Sequence, residues 1–329
     1  MPKTVNAAFA SFMKNTVNLD PDKVKTARAS RNFLQSKIKG FDNFFPLYGE
    51  KDISFGSFAR RTKIRELDDI DIIFTLKATG CSWSEDINGT VYIHTPEDSE
   101  EYRNYRHSDS LKLNSRKVLG KLLVSLKGIS HYGQAEMHRN LHAATLKLIS
   151  YEWNFDVVPA FFTTEDYLGR SYYIIPNGTG DWMKTDPRID QKRVSQINTN
   201  NNGKVLNLIR LVKYWQRRKT MPLMPSYLLE NFVLKYADEN VLSEFVDVGF
   251  RDFLLFLANN IHNALYDPKG IQGDLNTLSY DDRVKINTKA ASDYSTANRA
   301  FNLEVYDQNQ ESAIKEWKKI FGPYFPNYE

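Results

Sequence analysis

Two aspartates in one short run of the sequence have the spacing of metal ligands. In DDIDIIF, residues 68–74, acidic and apolar side chains alternate, so Asp69 and Asp71 share one face of a predicted β-strand. Same-face neighbours in a strand lie roughly 6 to 7 Å apart at the backbone. Two carboxylates at this spacing repel each other unless a cation lies between them, and their hard oxygen atoms favour Mg²⁺ or Mn²⁺. The alternation therefore predicts metal ligands, although alone it is more typical of a half-exposed strand with a solvated acidic face.

A turn suited to binding phosphate lies just before these aspartates. Gly56 and Ser57 follow a strand-like run, and the residues from Phe58 to Arg65 are predicted to start a helix. Glycine permits a tight turn, and the N–H groups and hydroxyl of such a turn bind phosphate at a helix N-terminus. Eleven residues separate Ser57 from Asp69, which is enough for a short helix and a return to the neighbouring strand. The spacing predicts that the phosphate and metal sites adjoin.

A third acid stands alone in an apolar run. Asp156 is the only acid in WNFDVVPAFF, residues 153–162. A buried, unpaired carboxylate is costly, so Asp156 must have a partner, and a structural salt bridge is the better explanation if this residue is taken alone. Phosphoryl transfer with two metal ions, however, needs carboxylates from more than one strand. Asp156 therefore completes a predicted metal site with Asp69 and Asp71.

The spacing of apolar residues predicts the elements that position these groups. Residues 20–39 read as a long helix that Asp20 caps, and residues 112–129 as a helix that Gly128 closes. The predicted strands cover residues 46–55, 68–74, 143–150 and 153–162, and the predicted later helices cover residues 207–219, 226–239, 251–261 and 312–321.

The change from strands to helices near residue 185 predicts an α+β fold with two lobes. Residues 1–185 form the predicted catalytic core, with the long helix near its N-terminus, and residues 186–329 form an α-helical lobe. The polar segment NTNNNG, residues 198–203, is the predicted loop near the crossover. A cleft between two lobes is a usual place for a ligand, and we expect the active site there.

Composition sets limits on the class of protein. Of the 329 residues, 41% are hydrophobic and 26% are charged, which is typical of a globular protein with a substantial core. The single cysteine, Cys81, excludes an intrachain disulfide and favours a reducing cytoplasm. We expect neither export by a signal peptide nor a membrane span. A net charge of +4 permits anionic ligands but is not typical of a dedicated nucleic-acid binder.

The order of these motifs resembles a known signature. F-G-S, eleven residues, D-I-D-I and a later F-D-V-V-P-A resemble the polymerase-β-like nucleotidyltransferase superfamily. LVKYW, PSYLLE and the late WKKIFGPYFP are similar to the cGAS/DncV-like branch, which includes the bacterial CD-NTases, and to oligoadenylate synthases. The likeness runs from Tyr48 to Phe325, and its second half narrows the superfamily to this branch. It implies a mixed-sheet nucleotidyltransferase core with a C-terminal helical lobe.

The resemblance implies roles for the residues of the core. Ser57, beside Gly56, would hold the β- and γ-phosphates of a nucleoside triphosphate. Asp69 and Asp71 would each bind two Mg²⁺ or Mn²⁺ ions. Asp156 would bind one of these ions and help to deprotonate the attacking hydroxyl. The substrates implied are ATP and other nucleoside triphosphates.

The resemblance also implies nucleotide contacts in the helical lobe. Lys213 and Ser226 correspond to residues that contact the donor triphosphate. The alternative for Lys213, together with Arg210, Arg217 and Arg218, is the solvated basic face of an amphipathic helix.

Tyr227 corresponds to the aromatic residue that stacks on a nucleobase. A tyrosine followed by two leucines is more often a core residue, although base stacking, worth about 1 to 3 kcal/mol, makes the nucleotide-binding role physically adequate. Both readings of Tyr227 stay open at this point.

The implied function is synthesis of a cyclic di- or trinucleotide second messenger in bacterial anti-phage (CBASS) signalling. A ribose hydroxyl of one nucleotide would attack the α-phosphorus of another, and a second transfer would close the ring. A cyclic-nucleotide-responsive effector would act downstream without direct contact being implied, and the enzyme itself is compatible with a cytoplasmic monomer. Base selectivity, ring size and 2′ or 3′ linkage stay open.

Activation by double-stranded DNA is not expected. The vertebrate cyclic GMP-AMP synthase docks on DNA through a zinc-binding insertion, which needs clustered Cys and His residues. One cysteine cannot form that cluster. His138 and His142 in HRNLH have no nearby cysteine and are predicted to be surface or packing residues.

Two other functions stay open from the residues. The first is a template-independent nucleotidyltransferase that makes linear oligonucleotides or modifies RNA. The second is a catalytically silent nucleotide-binding scaffold, which the presence of all three acids disfavours.

Overall fold

The computed structural model describes residues 2–218 and 221–329 and divides the chain into two compact units. The first, called here the sheet unit, comprises Asp22–Arg60 and Leu67–Ile189. The second, called the helical unit, comprises Met1–Pro21, Arg61–Glu66 and Asp190–Glu329.

Nine strands form one mixed sheet across residues 53–185, in the order β1-β2-β7-β8-β9-β4-β3, with β6 paired to both β5 and β7. Strands β2 and β7 are parallel, and the other pairs are antiparallel. The strands are β1 Ile53–Phe55, β2 Asp69–Leu76, β3 Ser82–Glu85, β4 Val91–His94, β5 Glu136–Asn140, β6 Ala143–Lys147, β7 Asn154–Phe162, β8 Tyr173–Pro176 and β9 Trp182–Thr185.

The helices follow the local signals of the sequence. Asn114 caps the helix that starts at Ser115, because its side chain accepts hydrogen bonds from two backbone N–H groups, and Gly128 ends that helix as predicted. The helices are α1 Val5–Phe12, α2 Pro21–Lys39, α3 Gly56–Ala59, α4 Ser115–Lys127, α5 Pro187–Asn200, α6 Val205–Gln216, α7 Ser226–Glu239, α8 Val246–Asn260, α9 Tyr280–Val305 and α10 Gln310–Phe321.

Strands β2 and β7 are the centre of the sheet unit. Along both strands, the residues next to the predicted metal ligands are buried while the acids stay partly exposed. The second halves of both strands are buried almost throughout, as is typical of parallel strands covered on both faces. The helix α4 packs against strands β5 to β8 and buries Val118, Leu119, Leu122 and Leu126. The acids therefore lie at the polar end of a firmly packed pair of strands.

The helical unit has its own core, to which the N-terminal segment contributes. Helix α1 is apolar enough to bury one face, and its Phe9 ring lies 5.0 Å from the ring of Trp317 in an edge-to-face contact. Phe12 makes a similar contact with Tyr214 of α6. The segment up to Pro21, which the predicted domain division places in residues 1–185, therefore packs with the helices that follow residue 189.

Three local predictions differ from the structure. The helix predicted from Phe58 to Arg65 is the single turn α3, because Arg61 adopts a φ of 63° that a right-handed helix cannot contain. The predicted loop at residues 198–203 begins as the last turn of α5, and only residues 201–203 form a turn. The helical run predicted to residue 219 is seen as α6, and Lys219 lies outside the described residues.

Helices α1, α5 and α9 were not predicted, and the last two carry weak sequence signals. Helix α9 buries mainly alanines, at positions 290, 297 and 300, so its apolar stripe lacks large residues. Its Asp293 is buried and accepts a hydrogen bond from the indole of Trp215 at 2.7 Å, which gives this polar residue a packing role. Besides Pro187 at its start, helix α5 buries only Val194 and Ile197 among its apolar residues.

No helix in the described part of the chain combines the length and the apolar character needed to cross a membrane.

One carboxyl group makes the stability of the helical unit depend on pH. Burial and the nearby carboxylate of Asp247 raise the pKa of Glu304 to about 7. Between about pH 4.5 and 7 the folded state therefore keeps a proton that the unfolded state has released, so this group's contribution to stability falls as the pH rises. We expect Glu304→Gln, which removes the titrating charge, to raise the melting temperature more at pH 8 than at pH 5.

Thermal unfolding followed by circular dichroism at the two pH values measures this difference. Glu239→Gln, at an exposed position on α7, is the matched control. An equal change in melting temperature at both pH values for Glu304→Gln would contradict the prediction.

Candidate active site

The pairing of β2 with β7 places two of the predicted acids side by side. In the parallel register Asp71 lies opposite Asp156, and Asp69 lies opposite Asn154. Paired residues on neighbouring strands lie about 4.8 Å apart and present their side chains to the same face of the sheet. All three acids are partly exposed, whereas the isoleucines between them in β2 are buried. The structure thus brings Asp69, Asp71 and Asp156 to one face of the sheet from two separate segments.

The turn at Gly56 lies directly against Asp71. Strand β1 pairs with β2 so that Phe55 lies opposite Asp71, and the next residue, Gly56, has a φ of 72°. A Cβ atom at Gly56 would lie 1.7 Å from Oδ2 of Asp71, a distance that no real contact allows. Only glycine combines this backbone conformation with such a close approach. The Gly56 turn is predicted to adjoin the aspartates, and in the structure it touches the carboxylate of Asp71.

Ser57 is held at the same place by the short helix α3. Phe58 is buried and anchors the turn, while Ser57 is partly exposed. Because Ser57 follows Gly56 directly, its hydroxyl and backbone N–H belong to the segment that lies against β2. This arrangement is compatible with a phosphate contact by Ser57, which stays a prediction.

Thr145 is a site residue that the sequence analysis missed. It lies opposite Asp156 in the antiparallel pair β6–β7, and its hydroxyl donates a hydrogen bond to Oδ1 of Asp156 at 2.5 Å. Thr145 is 6% exposed, so it holds the carboxylate from the protein side. In the sequence, the only signal for this residue is a single threonine within the apolar run AATLKLIS. Its role can be recognised only when the register of β6 with β7 is known. Asp156 thus has a partner, as predicted, and this partner is a hydroxyl.

The donor atoms at this site suit a hard divalent cation. Asp69, Asp71 and Asp156 offer carboxylate oxygens, the ligands that Mg²⁺ and Mn²⁺ prefer. Across residues 2–218 and 221–329, no three His, Cys, Asp or Glu side chains form a ready-made metal cluster. Metal binding by these three acids therefore stays a prediction that rests on the chemistry of the donors.

Lys213 forms a buried ion pair within the helical unit. Its ammonium group on α6 donates to Oε1 of Glu230 on α7, and the two side chains are 9% and 2% exposed. The alternative of a solvated basic face is therefore wrong for Lys213. Two neighbouring arginines donate hydrogen bonds to backbone carbonyls, Arg217 to that of Arg65 and Arg218 to that of Lys319. A phosphate contact by Lys213 would have to coexist with Glu230.

Ser226 and Tyr227 begin the helix α7. Ser226 is exposed and Tyr227 is partly exposed, whereas the two leucines that follow are buried. The Tyr227 hydroxyl donates a hydrogen bond to Oδ1 of Asp190 at 2.7 Å. Burial, followed by the nearby charge of Asp190, raises the pKa of Tyr227 far above its usual value, so the phenol stays protonated. Tyr227 is thus a partly exposed residue with an anchored hydroxyl, and its stacking on a base stays a prediction.

The two histidines of HRNLH lie at the surface of the sheet unit, as predicted. His138 is exposed on β5. Nδ1 of His142 lies 2.6 Å from the carbonyl oxygen of Pro176, so His142 serves to connect two segments of the sheet.

Comparison with known proteins decides the family. A scan against protein-family models finds no match. The chain is 43% identical over 334 residues to a Bacillus cereus (strain VD146) protein named "Probable cyclic nucleotide synthase", and the match covers 100% of both chains. This chain belongs to the cGAS/DncV-like nucleotidyltransferases. It is a cyclic oligonucleotide synthase of this family, the bacterial CD-NTases. A cyclic AMP-AMP-AMP synthase from an Acinetobacter strain is 26% identical over 92% of this chain and 80% of that protein.

Solved structures confirm the α+β nucleotidyltransferase fold. CdnC of Escherichia coli MS115-1, solved with ATP, matches 98% of this chain and 99% of its own with a TM-score of 0.70 and 18% identity. The Vibrio cholerae DncV cyclic AMP-GMP synthase matches 84% of this chain and 70% of its own with a TM-score of 0.60 and 14% identity. The mixed sheet and the C-terminal helices are therefore the family fold.

The contact at Gly56 gives a sharp test of the site of this CD-NTase. We expect Gly56→Ala to lower its turnover by about 10²-fold, because the added methyl group must displace the Asp71 carboxylate, and displacements of about 1 Å cost that much in positioned catalysis. Initial rates of product formation from nucleoside triphosphates measure the effect.

Gly169→Ala is the matched control. Gly169 lies in the same unit with a φ of 70°, but nothing lies within 4 Å of the position of its Cβ atom. The two variants therefore carry a similar backbone cost, about 1 to 2 kcal/mol, and only one of them moves a carboxylate. Equal activity of the two variants would show that the position of Asp71 does not matter.

Proposed function

We propose that this protein makes its cyclic product by metal-dependent phosphoryl transfer in anti-phage (CBASS) signalling. The observation that carries the proposal is the register of β2 with β7, which sets Asp71 beside Asp156, together with the Gly56 turn that lies against Asp71. Phosphoryl transfer is catalysed mainly by positioning and by charge stabilisation. Carboxylates on a rigid sheet beside a phosphate-binding turn are the parts that such a reaction needs.

The residues of the sheet unit have distinct proposed tasks. The N–H groups of the turn and the hydroxyl of Ser57 bind the β- and γ-phosphates of the donor nucleotide. Asp69, Asp71 and Asp156 hold two Mg²⁺ or Mn²⁺ ions. When bound, these ions neutralise the triphosphate and lower the pKa of the attacking ribose hydroxyl.

Asp156 also takes part in proton transfer in this proposal. Its Oδ1 accepts the hydrogen bond from Thr145, so the orientation of the carboxylate is set by β6. The carboxylate then accepts the proton of the attacking hydroxyl. That hydroxyl attacks the α-phosphorus, the bond from this phosphorus to the bridging oxygen breaks, and pyrophosphate leaves with the electron pair. A second transfer within the linear product closes the ring.

In the helical unit, Lys213 and Ser226 are the proposed contacts for the donor triphosphate, and Tyr227 is the proposed platform for a nucleobase. Ser226 is exposed and Tyr227 is partly exposed at the start of α7, which supports these assignments. The Lys213–Glu230 pair holds the lysine ammonium in a fixed place, which limits the entropy lost on binding.

ATP is the proposed donor. Two relatives, from Acinetobacter and E. coli, are named cyclic AMP-AMP-AMP synthases, and the structural neighbour CdnC was solved with ATP. The proposed product would act in the cytoplasm by binding an effector protein that need not touch the enzyme, with no requirement for double-stranded DNA.

The decisive experiment identifies the product. Purified protein is incubated with the four ribonucleotides and Mg²⁺ or Mn²⁺ between pH 7 and pH 9, then treated with phosphatase and analysed by mass spectrometry. We expect a phosphatase-resistant cyclic oligonucleotide that contains adenosine. A product with phosphatase-labile ends would favour the linear nucleotidyltransferase, and no turnover under any of these conditions would favour the silent scaffold.

The paired substitution Asp69→Asn with Asp71→Asn should abolish product formation, because it removes two of the three carboxylates that hold the metals. The fold should persist, since both side chains are partly exposed and the buried face of β2 is unchanged. Product yield and the melting temperature are measured together, with Asp109→Asn, an exposed loop position of the same unit, as the control. Retained activity in the double variant would refute the assigned site.

A further inference from the structure

The hydroxyl of Tyr227 lies within a group of charged side chains in the helical unit. Besides donating to Asp190, it accepts a hydrogen bond from Nζ of Lys269 at 2.5 Å and lies 3.3 Å from Oδ1 of Asp267. Lys269 in turn lies 3.5 Å from Oδ2 of Asp190 and 3.2 Å from Oδ1 of Asp267. These four residues, Asp190, Tyr227, Asp267 and Lys269, are called here the Tyr227 cluster.

The cluster is built from three separate segments and is largely buried. Asp190 belongs to the first turn of α5, Tyr227 to α7, and the other two to the loop that follows α8. Asp267 is 6% exposed and Lys269 is 8% exposed. Burying charges costs free energy that apolar residues of the same volume would not cost. Simple attachment of the loop to the helices would not require this arrangement.

The loop that carries Lys269 is itself fixed by Asp267. The carboxylate of Asp267 accepts hydrogen bonds from the backbone N–H groups of Lys269, Ile271 and Gln272, at 3.1, 3.2 and 3.0 Å. These bonds and the charge of Lys269 lower the pKa of Asp267 against the opposing effect of burial, so its carboxylate stays ionised. The ammonium group is therefore held by a rigid loop.

The cluster fixes the position of the hydroxyl end of the Tyr227 ring. Nζ of Lys269 lies 4.0 Å from the ring centroid and donates to the hydroxyl, so the cation lies at the hydroxyl end of the ring. The hydroxyl also donates to Asp190, so it is held from two sides. These bonds keep the ring from swinging about its Cα–Cβ bond, since that rotation would move the hydroxyl out of the cluster.

We propose that Lys269 and Asp267 are positioning residues that hold the ring of Tyr227 in place as a platform for the donor nucleobase. This inference rests on the nucleotide-binding role of Tyr227 in the proposed function. Asp267 orders the loop, Lys269 fixes the hydroxyl end of the ring, and the base stacks on the ring. The cluster orders the platform before the nucleotide arrives, which reduces the entropy lost on binding.

The test uses a probe whose fluorescence reports stacking. The triphosphate of 2-aminopurine riboside is bound to the full-length protein, and the fluorescence at saturation is measured separately from the dissociation constant. Lys269→Met keeps the aliphatic stem but removes the cation, and we expect a dissociation constant about tenfold higher and a brighter bound probe, a loss within the range that base stacking supplies. Lys269→Arg should restore most of the affinity and the dimmer signal of the bound probe. In Lys269→Met, KM for ATP should rise while kcat changes little.

Lys289→Met is the matched control. Lys289 also forms an ion pair inside the helical unit, at 2.6 Å from Asp293 on the same helix, but it does not contact Tyr227. It should lower the melting temperature without changing the probe's affinity or brightness. If Lys269→Met behaves like this control, the Tyr227 cluster is a structural attachment only and the inference is overturned.

Tyr227→Phe provides a second variant in case Lys269→Met does not fold. It keeps the ring and removes the anchored hydroxyl, so it should brighten the bound probe, whereas an unchanged signal would overturn the inference. Tyr227→Ala distinguishes failure of this inference from failure of the proposed function. If it leaves the probe unaffected, Tyr227 is no platform and the inference falls with that role, even if the wild-type protein makes a cyclic product. If the wild-type protein makes no product but shows these probe effects, the proposed function fails and the positioning role stands.

Discussion

The pairing of β2 with β7 is the interaction on which the site depends. Backbone hydrogen bonds between these parallel strands fix Asp71 opposite Asp156, and no flexible side chain is needed to bring the two segments together. Bringing like charges together is unfavourable, and the opposing stabilisation comes from the buried residues that alternate with the acids and continue along both strands. The apolar face of the sheet therefore holds the acids in place, and a slip of one residue would turn all of them to the opposite face.

Two small residues complete this arrangement from neighbouring strands. Gly56 allows the β1 turn to lie against the Asp71 carboxylate, and Thr145 orients Asp156 from β6. Both act through close contact with an acid and neither carries charge. A larger side chain at either position would move a carboxylate, which is the group whose placement matters most in charge-stabilised phosphoryl transfer. The geometry of the site is thus set by the backbone of four strands.

The helical unit uses buried charge for a comparable purpose. Lys213 pairs with Glu230, and Lys269 pairs with Asp190 and Asp267. These pairs place ammonium groups in the interior of the unit, where apolar residues are more usual. Such pairs seldom add net stability, but each holds its charged groups in a fixed position. Lys269 also holds the partly exposed Tyr227 by its hydroxyl. Structural neighbours that share only 14 to 18% identity with this chain retain the same fold, so the fold tolerates wide change around these groups.

The amino-acid sequence alone was enough to predict a large part of the fold and of the candidate site. Alternation of acids with isoleucines, the lone Asp156 and the Gly-Ser turn predict β1, β2 and β7, the shared face of the acids and the superfamily, because each of these signals lies within a few neighbouring residues. Strands β3, β4, β5, β8 and β9 were not predicted, and the motifs of the second half of the chain were needed to narrow the superfamily to its branch. Helices α5 and α9 were not predicted because their buried residues are few or small. Tertiary contacts stabilise these helices, and a local sequence pattern does not contain such contacts. Thr145 as the partner of Asp156, the contact of Gly56 with Asp71, the burial of Lys213 and the anchoring of Tyr227 all join segments far apart in the chain. Only the tertiary structure could decide them, since they depend on strand register and helix packing that arise from the whole fold.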